Sequence, residues 1–397
     1  MSEGFLSIDE FLERERTELV NQGLWRCLRQ MQSPQSVRIM MDGKLFLNFS
    51  SNDYLGLATH PKVTQAAIEA IERYGFGSGA SRLICGSFKP HHELEDAICD
   101  FKKTEAALSF SSGYATALGT ICSLVSREDA IVLDRLSHAC LIDAARMSGA
   151  KLCVFKHNDL NNLESILKRL RSVGSSKRKI LIVTESVFSM DGDTAPLKEI
   201  VELKDKYGAW LMVDEAHATG LFGADRAGLI EELGLRDRVE IQMGTLGKAI
   251  GSAGGFICGK KSLIDHLINC ARSFIYSTAP PPCVAAAAKV GIEIIRSDEG
   301  RQRAVTLWNL VGELKQALAE MDIDLSNVNS AIIPVILGSN ERTLKVSKFL
   351  SENGFFIPAI RFPTVPKNTA RLRITISANH TPEDIRLLSL ALKAALN

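Results

Sequence analysis

Residues 209–217 read AWLMVDEAH, and residues 241–250 read IQMGTLGKAI. Each segment begins as an apolar run and ends in polar residues, which is typical of a buried strand that leads into a functional loop. Asp214 and His217 end the first run, and Lys248 follows the second. The letters DEAH also resemble the Walker B strand of a nucleic-acid-dependent ATPase, with the glycine-flanked lysine as its phosphate loop. Both an ATPase and another lysine-based chemistry therefore need testing against the rest of the sequence.

The sequence argues against an ATPase. A phosphate loop follows the pattern G-x-x-x-x-G-K-[ST], in which the Ser or Thr holds magnesium. Here Ala249 follows Lys248, and Gln242 stands where the first glycine is required. The lysine also comes after the Asp-Glu pair, although a phosphate loop should precede it. The 397-residue chain has a net charge of +1, whereas proteins that bind a nucleic-acid backbone more often have a basic excess. We therefore expect no nucleic-acid partner.

Other short apolar runs alternate with helix patterns along the chain. The further runs are AALSFSS (106–112), AIVLD (130–134), AKLCVFK (150–156) and KILIVTES (179–186). This alternation predicts an α/β fold with a mostly parallel sheet that is covered by helices on both faces. Ligands of such sheets bind at the carboxyl ends of the strands. Polar residues follow most of these runs, so the sequence predicts the functional site at that edge.

The chain divides by pattern into three segments. We predict that residues 1–55 form a helix and strand segment with a helix over 7–31, that residues 56–290 form a large cofactor-binding domain, and that residues 291–397 form a smaller α+β domain. The pattern HPKVTQAAIEAIERYG predicts a helix that ends at Gly75. SAIIPVIL and RLRITIS are the strand candidates of the C-terminal domain.

Composition and motifs restrict the compartment and the chemistry. The nine cysteines include no C-x-x-C pair, which is typical of a reducing compartment. The charged, amphipathic N-terminus is unlike a signal sequence, and no apolar stretch reaches about 18 residues, so we expect a cytoplasmic protein without a membrane span. The sequence contains neither G-x-S-x-G nor H-E-x-x-H. We therefore predict neither a serine nucleophile elbow nor a metal site.

Lysine, aspartate and histidine at successive strand ends are the groups that pyridoxal phosphate (PLP) requires. A lysine amine can form a Schiff base with an aldehyde cofactor. Asp214 could keep the ring nitrogen protonated, and His217 could donate a hydrogen bond to the phenolic oxygen. Ser112, Gly113 and Tyr114 open a predicted helix, whose N-terminus suits a phosphate, and Thr245 could add a hydroxyl and His138 a stacking ring. Each residue alone has an ordinary structural interpretation, but their order along the chain favours the cofactor site.

Longer segments that cover nearly the whole chain carry a family resemblance. They include NFSSNDYLGL, GSGASRLICGS, HHELE, SSGYATALG, DRLSHACLIDAAR, HND, TESVFSMDGDTAPL, LMVDEAHATGLFG, GTLGKAIGSAGG, FIYSTAPPP and AIRFPTVPKNTARLRITISA. On these segments the sequence resembles the α-oxoamine synthases, which are PLP-dependent transferases of fold type I. The resemblance implies a large domain with a seven-stranded, mostly parallel sheet, a smaller α+β C-terminal domain, and a homodimer in which two subunits build each active site.

The resemblance also implies roles for individual residues. Lys248 matches the Schiff-base lysine, Asp214 the partner of the ring nitrogen, His217 the donor to the phenolic oxygen, and His138 the stacking histidine that also contacts the amino-acid carboxylate. Further implied cofactor contacts are Ser112, Gly113, Tyr114, Ser189, Thr245 and, reaching across from the other subunit, Ser277 and Thr278. The implied substrate residues are Arg373, which clamps a carboxylate bidentately, Asn52 and Thr364, which line the cavity, and Arg26 near the acyl group.

The tail AIRFPTVP followed by RLRI points to the branch of the family that acts in biotin biosynthesis. That branch implies condensation of L-alanine with a pimeloyl thioester, carried by CoA or by an acyl-carrier protein, with loss of carbon dioxide. Ala80 in GSGAS and the ICG that follows depart from the pattern and are similar to a sister branch, 2-amino-3-ketobutyrate CoA ligase, which uses glycine and acetyl-CoA. Two more sister activities within the family stay open, namely glycine with succinyl-CoA and serine with a long acyl chain.

Overall fold

A computed structural model describes residues 6–173 and 178–396 of the chain. Its helices are α1 (Ile8–Asn21), α2 (Pro61–Tyr74), α3 (Lys89–Lys102), α4 (Gly113–Leu124), α5 (Ala139–Met147), α6 (Leu160–Val173), α7 (Leu197–Lys206), α8 (Leu229–Glu232), α9 (Lys261–Cys270), α10 (Arg272–Ile275), α11 (Pro282–Arg296), α12 (Asp298–Ala319), α13 (Asn340–Glu352) and α14 (Pro382–Leu396), with one 3-10 turn at Arg236–Arg238. Within this part of the chain, every helix is too short or too polar to span a lipid bilayer.

The strands form three sheets. They are β1 (Arg38–Met41), β2 (Lys44–Asn48), β3 (Ala106–Phe110), β4 (Ala130–Asp134), β5 (Lys151–Phe155), β6 (Ile180–Glu185), β7 (Trp210–Asp214), β8 (Ile241–Thr245), β9 (Gly255–Gly259), β10 (Ile332–Gly338), β11 (Phe355–Phe356), β12 (Ala359–Ile360) and β13 (Ala370–Thr375). The central sheet has seven strands in the order β3-β9-β8-β7-β6-β4-β5. Strand β9 is antiparallel to the other six strands, so the predicted α/β fold with a mostly parallel sheet is confirmed.

The sheet is buried on both faces, as its near-continuous apolar strands predict. Alternate residues of one strand enter different hydrophobic clusters: Leu211 and Val213 of β7 join the larger cluster, and Met212 joins the second one. This division follows from the two-residue period of a strand, which turns successive side chains to opposite faces. Helices therefore cover each face, and the carboxyl edge of the parallel strands is where loops can form a site.

The smaller sheets connect the two ends of the chain. Strands β10, β13 and β12 form an antiparallel sheet within the C-terminal region. The other sheet combines β1 and β2 with β11, and Phe355 and Phe356 of β11 pair in parallel with Leu47 and Asn48. The N-terminal strands thus pack with the C-terminal region. The division into segments at residues 55 and 290 stays a prediction.

The predicted helix over 7–31 is wrong beyond residue 21. Helix α1 begins with a capping box in which Ser7 and Glu10 bond each other's backbone N–H groups, and it ends at Asn21. Gly23 follows with φ +63°, a left-handed conformation that glycine adopts readily and that commonly ends a helix. Leu24 N–H then bonds Leu19 O at 2.7 Å. In contrast, the helix predicted to end at Gly75 is confirmed, and Gly75 has φ +75°.

Candidate active site

Lys248 and His217 meet at the carboxyl edge of the central sheet. Lys248 lies in the loop after β8, and its Nζ is 2.9 Å from His217 Nε2 in the loop after β7. Burial lowers the pKa of Lys248 below its ordinary value, although the nearby Asp214 and Glu185 carboxyl groups oppose this shift. A lowered pKa increases the fraction of the amine that is neutral and therefore nucleophilic. The pair therefore has the character of a reactive lysine beside a hydrogen-bonding histidine.

Asp214 is the last residue of β7 and is buried. One carboxylate oxygen, Oδ1, accepts the Ala216 N–H at 2.9 Å, and Asp214 lies opposite Glu185 of β6 and Met243 of β8 in the strand register. Burial raises the pKa of Asp214, while the Lys248 charge opposes the rise. A cationic ring nitrogen bound next to this carboxyl group would favour its ionised form for the same electrostatic reason.

The N-terminus of α4 faces this cluster as a candidate anion site. Ser112 caps the helix: its Oγ accepts the Ala115 N–H at 3.0 Å, and its carbonyl accepts the Thr116 N–H. The N–H groups of Gly113 and Tyr114 precede the Thr116 N–H, which is the first to bond a backbone carbonyl of the helix, and they are available to a ligand. A Cβ on Gly113 would lie 2.9 Å from Thr245 Cγ2, so only glycine leaves this space open.

The buried hydroxyl of Thr245 is a candidate hydrogen-bond donor to a phosphate. Its Oγ1 is buried and has no hydrogen-bond partner among the described residues. A buried hydroxyl without a partner is costly, and an anion seated at the α4 N-terminus would satisfy it. The space next to Gly113 and this orphan hydroxyl together fit a phosphate group.

His138 is the N-cap residue of α5, after β4. Its Nδ1 lies 3.3 Å from the Cys140 backbone nitrogen, which donates to it, and 3.0 Å from Cys140 Sγ. Its own backbone N–H donates to Glu185 Oε1. The side chain is exposed at the sheet edge, so one ring face is accessible to a ligand. Burial of part of the ring lowers the pKa of His138 and favours the neutral imidazole.

Ser189, Arg373 and Asn52 form a second group beside the cluster. Arg373 belongs to β13 of the C-terminal sheet, and its Nε donates to Ser189 O at 2.5 Å. Its Nη2 donates to Asn52 Oδ1 at 3.1 Å. Arg371, two residues earlier on the same strand, forms an ion pair with Asp191 at 2.6 Å. The loop after β6 is thus fixed against the C-terminal sheet, and a guanidinium group is held close to the sheet edge.

Four residues assigned from the sequence lie apart from this cluster. Thr278 forms an isolated bridge with Ser81, so Ser277 and Thr278 pack beside the loop that follows α2. Arg26 and Thr364 line a separate cavity of about 130 Å³. Among the described residues, none of these four makes a hydrogen bond to Lys248, His217 or Asp214.

Sequence reasoning missed three buried partners of the site. Tyr54 Oη lies 2.7 Å from His217 Nδ1, Glu185 contacts His138 and faces Asp214, and Lys102 forms a buried ion pair with Glu215. Tyr54 and Glu185 both occur in segments that carried the family resemblance, NDYLG and TESVF. Their presence in polar segments next to strand ends was the available signal.

The donor set fits PLP. A lysine amine, a buried carboxyl group, a histidine beside that lysine and an unpartnered hydroxyl next to a helix N-terminus meet the demands of an aldehyde, a ring nitrogen, a phenolic oxygen and a phosphate. These groups lie at the carboxyl ends of three strands, β3, β7 and β8, at one edge of the sheet.

Comparison with known proteins identifies the class first. The family model for aminotransferase class I and II matches residues 44–392, which is most of the chain. Solved structures agree with it: a serine palmitoyltransferase variant from S. paucimobilis with a bound PLP–myriocin aldimine superposes with a TM-score of 0.92 at 32% identity, over 99% of this chain and 98% of that one. The fold and the site therefore define an enzyme class, the fold type I transferases.

Relatives with higher sequence identity indicate one family within this class. An 8-amino-7-oxononanoate synthase from Geobacter sulfurreducens is 43% identical over 371 residues, which cover 94% of both chains. The enzyme of that name from Citrifermentans bemidjiense is 45% identical over 95% of this chain and 94% of its own. A crystal structure of 8-amino-7-oxononanoate synthase from Francisella tularensis superposes with a TM-score of 0.76 at 26% identity, over 88% of this chain and 98% of that one. The chain belongs to the α-oxoamine synthase family, within the class I and II aminotransferases.

Proposed function

We propose that this enzyme uses PLP to condense L-alanine with a pimeloyl thioester in biotin biosynthesis. A carbon–carbon bond forms between the alanine α-carbon and the thioester carbonyl carbon, and the thiol of CoA or of a carrier protein leaves. The alanine carboxyl group departs as carbon dioxide, and a proton returns to the α-carbon to give 8-amino-7-oxononanoate. The observation that carries the proposal is the cluster of Lys248, His217 and Asp214 at adjoining strand ends.

PLP, when bound, supplies a ring that takes up the electron pair left by a bond broken at the amino-acid α-carbon. We assign its attachment to Lys248, its ring nitrogen to Asp214 and its phenolic oxygen to His217. His138 would stack on the ring, and Ser189 would lie beside it. The N–H groups of Gly113 and Tyr114 and the Thr245 hydroxyl would hold the phosphate, with Ser112 fixing the start of the helix.

Arg373 is the residue that we assign to the alanine carboxylate. Its Nη2 donates to Asn52 Oδ1 at 3.1 Å, so Asn52 orients a guanidinium group that can bind a carboxylate bidentately. Lys248 is the base that we assign to the α-proton, because burial lowers its pKa and so increases the fraction of neutral amine that can accept a proton.

The acyl group is assigned to the separate cavity that Arg26, Arg361 and Thr364 line. Burial lowers the pKa of Arg361, and the Arg26 charge lowers it further, so the two guanidinium groups repel each other without an anion. An acyl chain that ends in a carboxylate, as a pimeloyl chain does, would relieve this repulsion. A purely apolar chain would not.

Serine with a long-chain thioester is the second candidate. The serine palmitoyltransferase superposes more closely than the F. tularensis enzyme, with a TM-score of 0.92 against 0.76. Sequence identity to the serine palmitoyltransferase is 32%, which is above the 26% of the F. tularensis enzyme but below the 43% of the G. sulfurreducens relative. These relatives do not favour glycine with acetyl-CoA or an ATPase.

We further propose a cytoplasmic homodimer with shared active sites. Thr278 is exposed, and three large exposed apolar side chains lie close along the chain to it or to its bridge partner Ser81, namely Tyr276, Ile84 and Phe76. Such a patch commonly marks a protein interface. A second subunit seated there would bring Ser277 and Thr278 to the phosphate of its partner. The nine free cysteines suit a reducing compartment.

A substrate matrix tests the proposal. Alanine, glycine and serine are each combined with pimeloyl-CoA, heptanoyl-CoA, acetyl-CoA and palmitoyl-CoA, and thiol release and product mass are measured. We expect turnover with alanine and pimeloyl-CoA, and a much higher KM for heptanoyl-CoA, which has the same length but no terminal carboxylate. Pimeloyl on a carrier protein then replaces the CoA ester. Preferred turnover of serine with palmitoyl-CoA would overturn the proposal in favour of the second candidate.

A further inference from the structure

Tyr54 approaches the His217 ring from the side opposite to Lys248. Its Oη lies 2.7 Å from His217 Nδ1, while the other ring nitrogen, Nε2, lies 2.9 Å from Lys248 Nζ. Tyr54 is 1% exposed and His217 is 5% exposed. A single imidazole therefore connects a buried hydroxyl group to the reactive lysine.

The Tyr54 backbone is fixed by its own turn and by the C-terminal sheet. The Asp53 carboxylate accepts the N–H groups of Leu57 at 2.8 Å and Ala58 at 3.2 Å. Tyr54 O accepts the Ala378 N–H at 2.7 Å, just after β13. The hydroxyl group is thus placed by packing and by backbone bonds that do not involve the cofactor site.

His217 is a neutral imidazole in this environment. Burial lowers its pKa well below the ordinary value, and the nearby Lys248, Arg373 and His138 act in the same direction. A neutral imidazole carries one proton, on either Nδ1 or Nε2, and the nitrogen without the proton accepts a hydrogen bond. The role of His217 toward a cofactor depends on which nitrogen that is, because only the Nε2-protonated form can donate toward the lysine side.

Tyr54 is the hydrogen-bond partner that His217 Nδ1 has among the described residues. Burial raises the pKa of Tyr54 to about 12, against the influence of Arg373, so the hydroxyl group keeps its proton. Its alternative acceptor is Asn52 Oδ1 at 3.4 Å, which is a much weaker contact than 2.7 Å. The geometry therefore favours donation from Tyr54 to His217.

We propose that Tyr54 is a positioning residue that donates its hydroxyl hydrogen to His217 Nδ1 and thereby keeps the ring proton on Nε2, directed at the phenolic oxygen of the cofactor. This inference rests on the proposed function, since it requires PLP at Lys248. The opposite arrangement has the proton on Nδ1, donated to Tyr54 Oη, with the tyrosine hydroxyl donating to Asn52. That arrangement would leave Nε2 unable to donate.

The first test determines the tautomer by NMR. The enzyme is labelled with ¹⁵N-histidine and measured with PLP bound, and His217→Asn identifies the His217 signals. We expect a protonated Nε2 and a bare, hydrogen-bonded Nδ1. Tyr54→Phe removes only the hydroxyl group, and we expect it to produce a mixture of the two tautomers. A protonated Nδ1 in the unmodified enzyme would overturn the inference, whether or not the variant folds.

The second test follows the visible absorbance of bound PLP during a pH titration. If the His217 Nε2 hydrogen stabilises the phenolate, weakening that hydrogen bond in Tyr54→Phe should raise the midpoint of the absorbance titration by about one pH unit. The kcat of the variant should fall about tenfold, as expected for one buried hydrogen bond. Tyr207→Phe is the matched control, because Tyr207 Oη donates to Glu164 at 3.1 Å, away from the site. We expect the control to match the unmodified enzyme in tautomer, midpoint and kcat.

The outcomes separate this inference from the proposed function. An unmodified protein that shows no PLP absorbance would refute the proposed function and this inference together. An enzyme that binds PLP and turns over, but whose tautomer and titration midpoint do not change in Tyr54→Phe, would refute this inference alone. Melting temperatures of Tyr54→Phe and Tyr207→Phe within a few degrees of each other would show that unfolding does not cause the effect.

Discussion

Lys102 Nζ lies 2.8 Å from Glu215 Oε2, and the two side chains are only 2% and 1% exposed. Lys102 also donates to Thr219 Oγ1 at 3.0 Å, and Glu215 Oε1 accepts the Ile230 N–H at 2.8 Å. The pair ties the end of α3 to the segment after β7, which contains His217. Glu215, to which the sequence assigns no chemical role, therefore has a structural one.

Glu215→Gln should lower the free energy of unfolding by about 3–5 kcal/mol, because it leaves the Lys102 ammonium group buried without a counter-charge. The double variant Lys102→Met/Glu215→Leu should recover most of this loss, since it removes both charges. Urea denaturation of the three proteins measures the effect. A single variant within about 1 kcal/mol of the unmodified protein would contradict the assignment of this pair as a buried ion pair.

Glu185→Gln should change how stability depends on pH. Burial, and next the Asp214 charge, raise the pKa of Glu185 to about 8 from the ordinary 4.5. The folded state therefore retains a proton that the unfolded state has released, and this group's contribution to stability, complete below pH 4.5, is lost as pH rises to about 8. The melting temperature of Glu185→Gln, relative to that of the unmodified protein, should be higher at pH 8 than at pH 5. An equal difference at both pH values would contradict this.

His157→Phe should remove a stabilising charge that persists into the alkaline range. His157 bridges Asp134 at 3.0 Å and Asp193 at 2.8 Å. Burial alone would lower its pKa, but the hydrogen bonds to the two carboxylates outweigh burial and raise it to about 10. The contribution is complete below pH 6.5 and is lost as pH rises through about 10, so the stability gap to the variant should narrow over that interval. Denaturation at pH 6 and pH 10 checks this, and a constant gap would disprove it.

The fold was predictable where a local pattern decides the structure. Strands β4, β6 and β7 are continuous apolar runs because both faces of a parallel sheet are buried. Strand β9 was missed, since GFICG is five residues long, has glycine at both ends and carries no polar functional residue after it. The helix predicted over 7–31 was too long because apolar spacing continues past Gly23 although no burial supports it.

The site was predictable to the extent that its residues follow strand ends. Asp214, His217 and Lys248 come together because their strands are neighbours in one sheet. Tyr54 is 163 residues from His217 along the chain, and Lys102 is 113 residues from Glu215. No local period encodes such contacts, which depend on how separate elements pack. Roles for individual residues toward the cofactor and substrates stay predictions.

Lys248→Ala should reduce turnover by orders of magnitude and abolish the visible absorbance of lysine-attached PLP, because the chain then lacks the amine that attaches the cofactor at this site. Absorbance spectra after addition of PLP, together with thiol release, measure both effects. Lys345→Ala changes an exposed lysine on α13 and serves as the control, which should keep both signals. Normal turnover by Lys248→Ala would exclude this lysine as the attachment point.

Asp214→Asn should slow turnover about 10²- to 10⁴-fold, the equivalent of the roughly 3–5 kcal/mol that a broken buried charge pair costs. A neutral amide is nearly the same shape as the carboxylate, but it cannot hold a ring nitrogen in its protonated form. Asp214 is buried at a strand end, where no solvent charge can replace it. The measurement is kcat per folded, PLP-loaded molecule, which separates chemistry from stability. By this measure Glu215→Gln, its neighbour, should lose far less. If the two variants lose the same amount, Asp214 has no special relation to the ring.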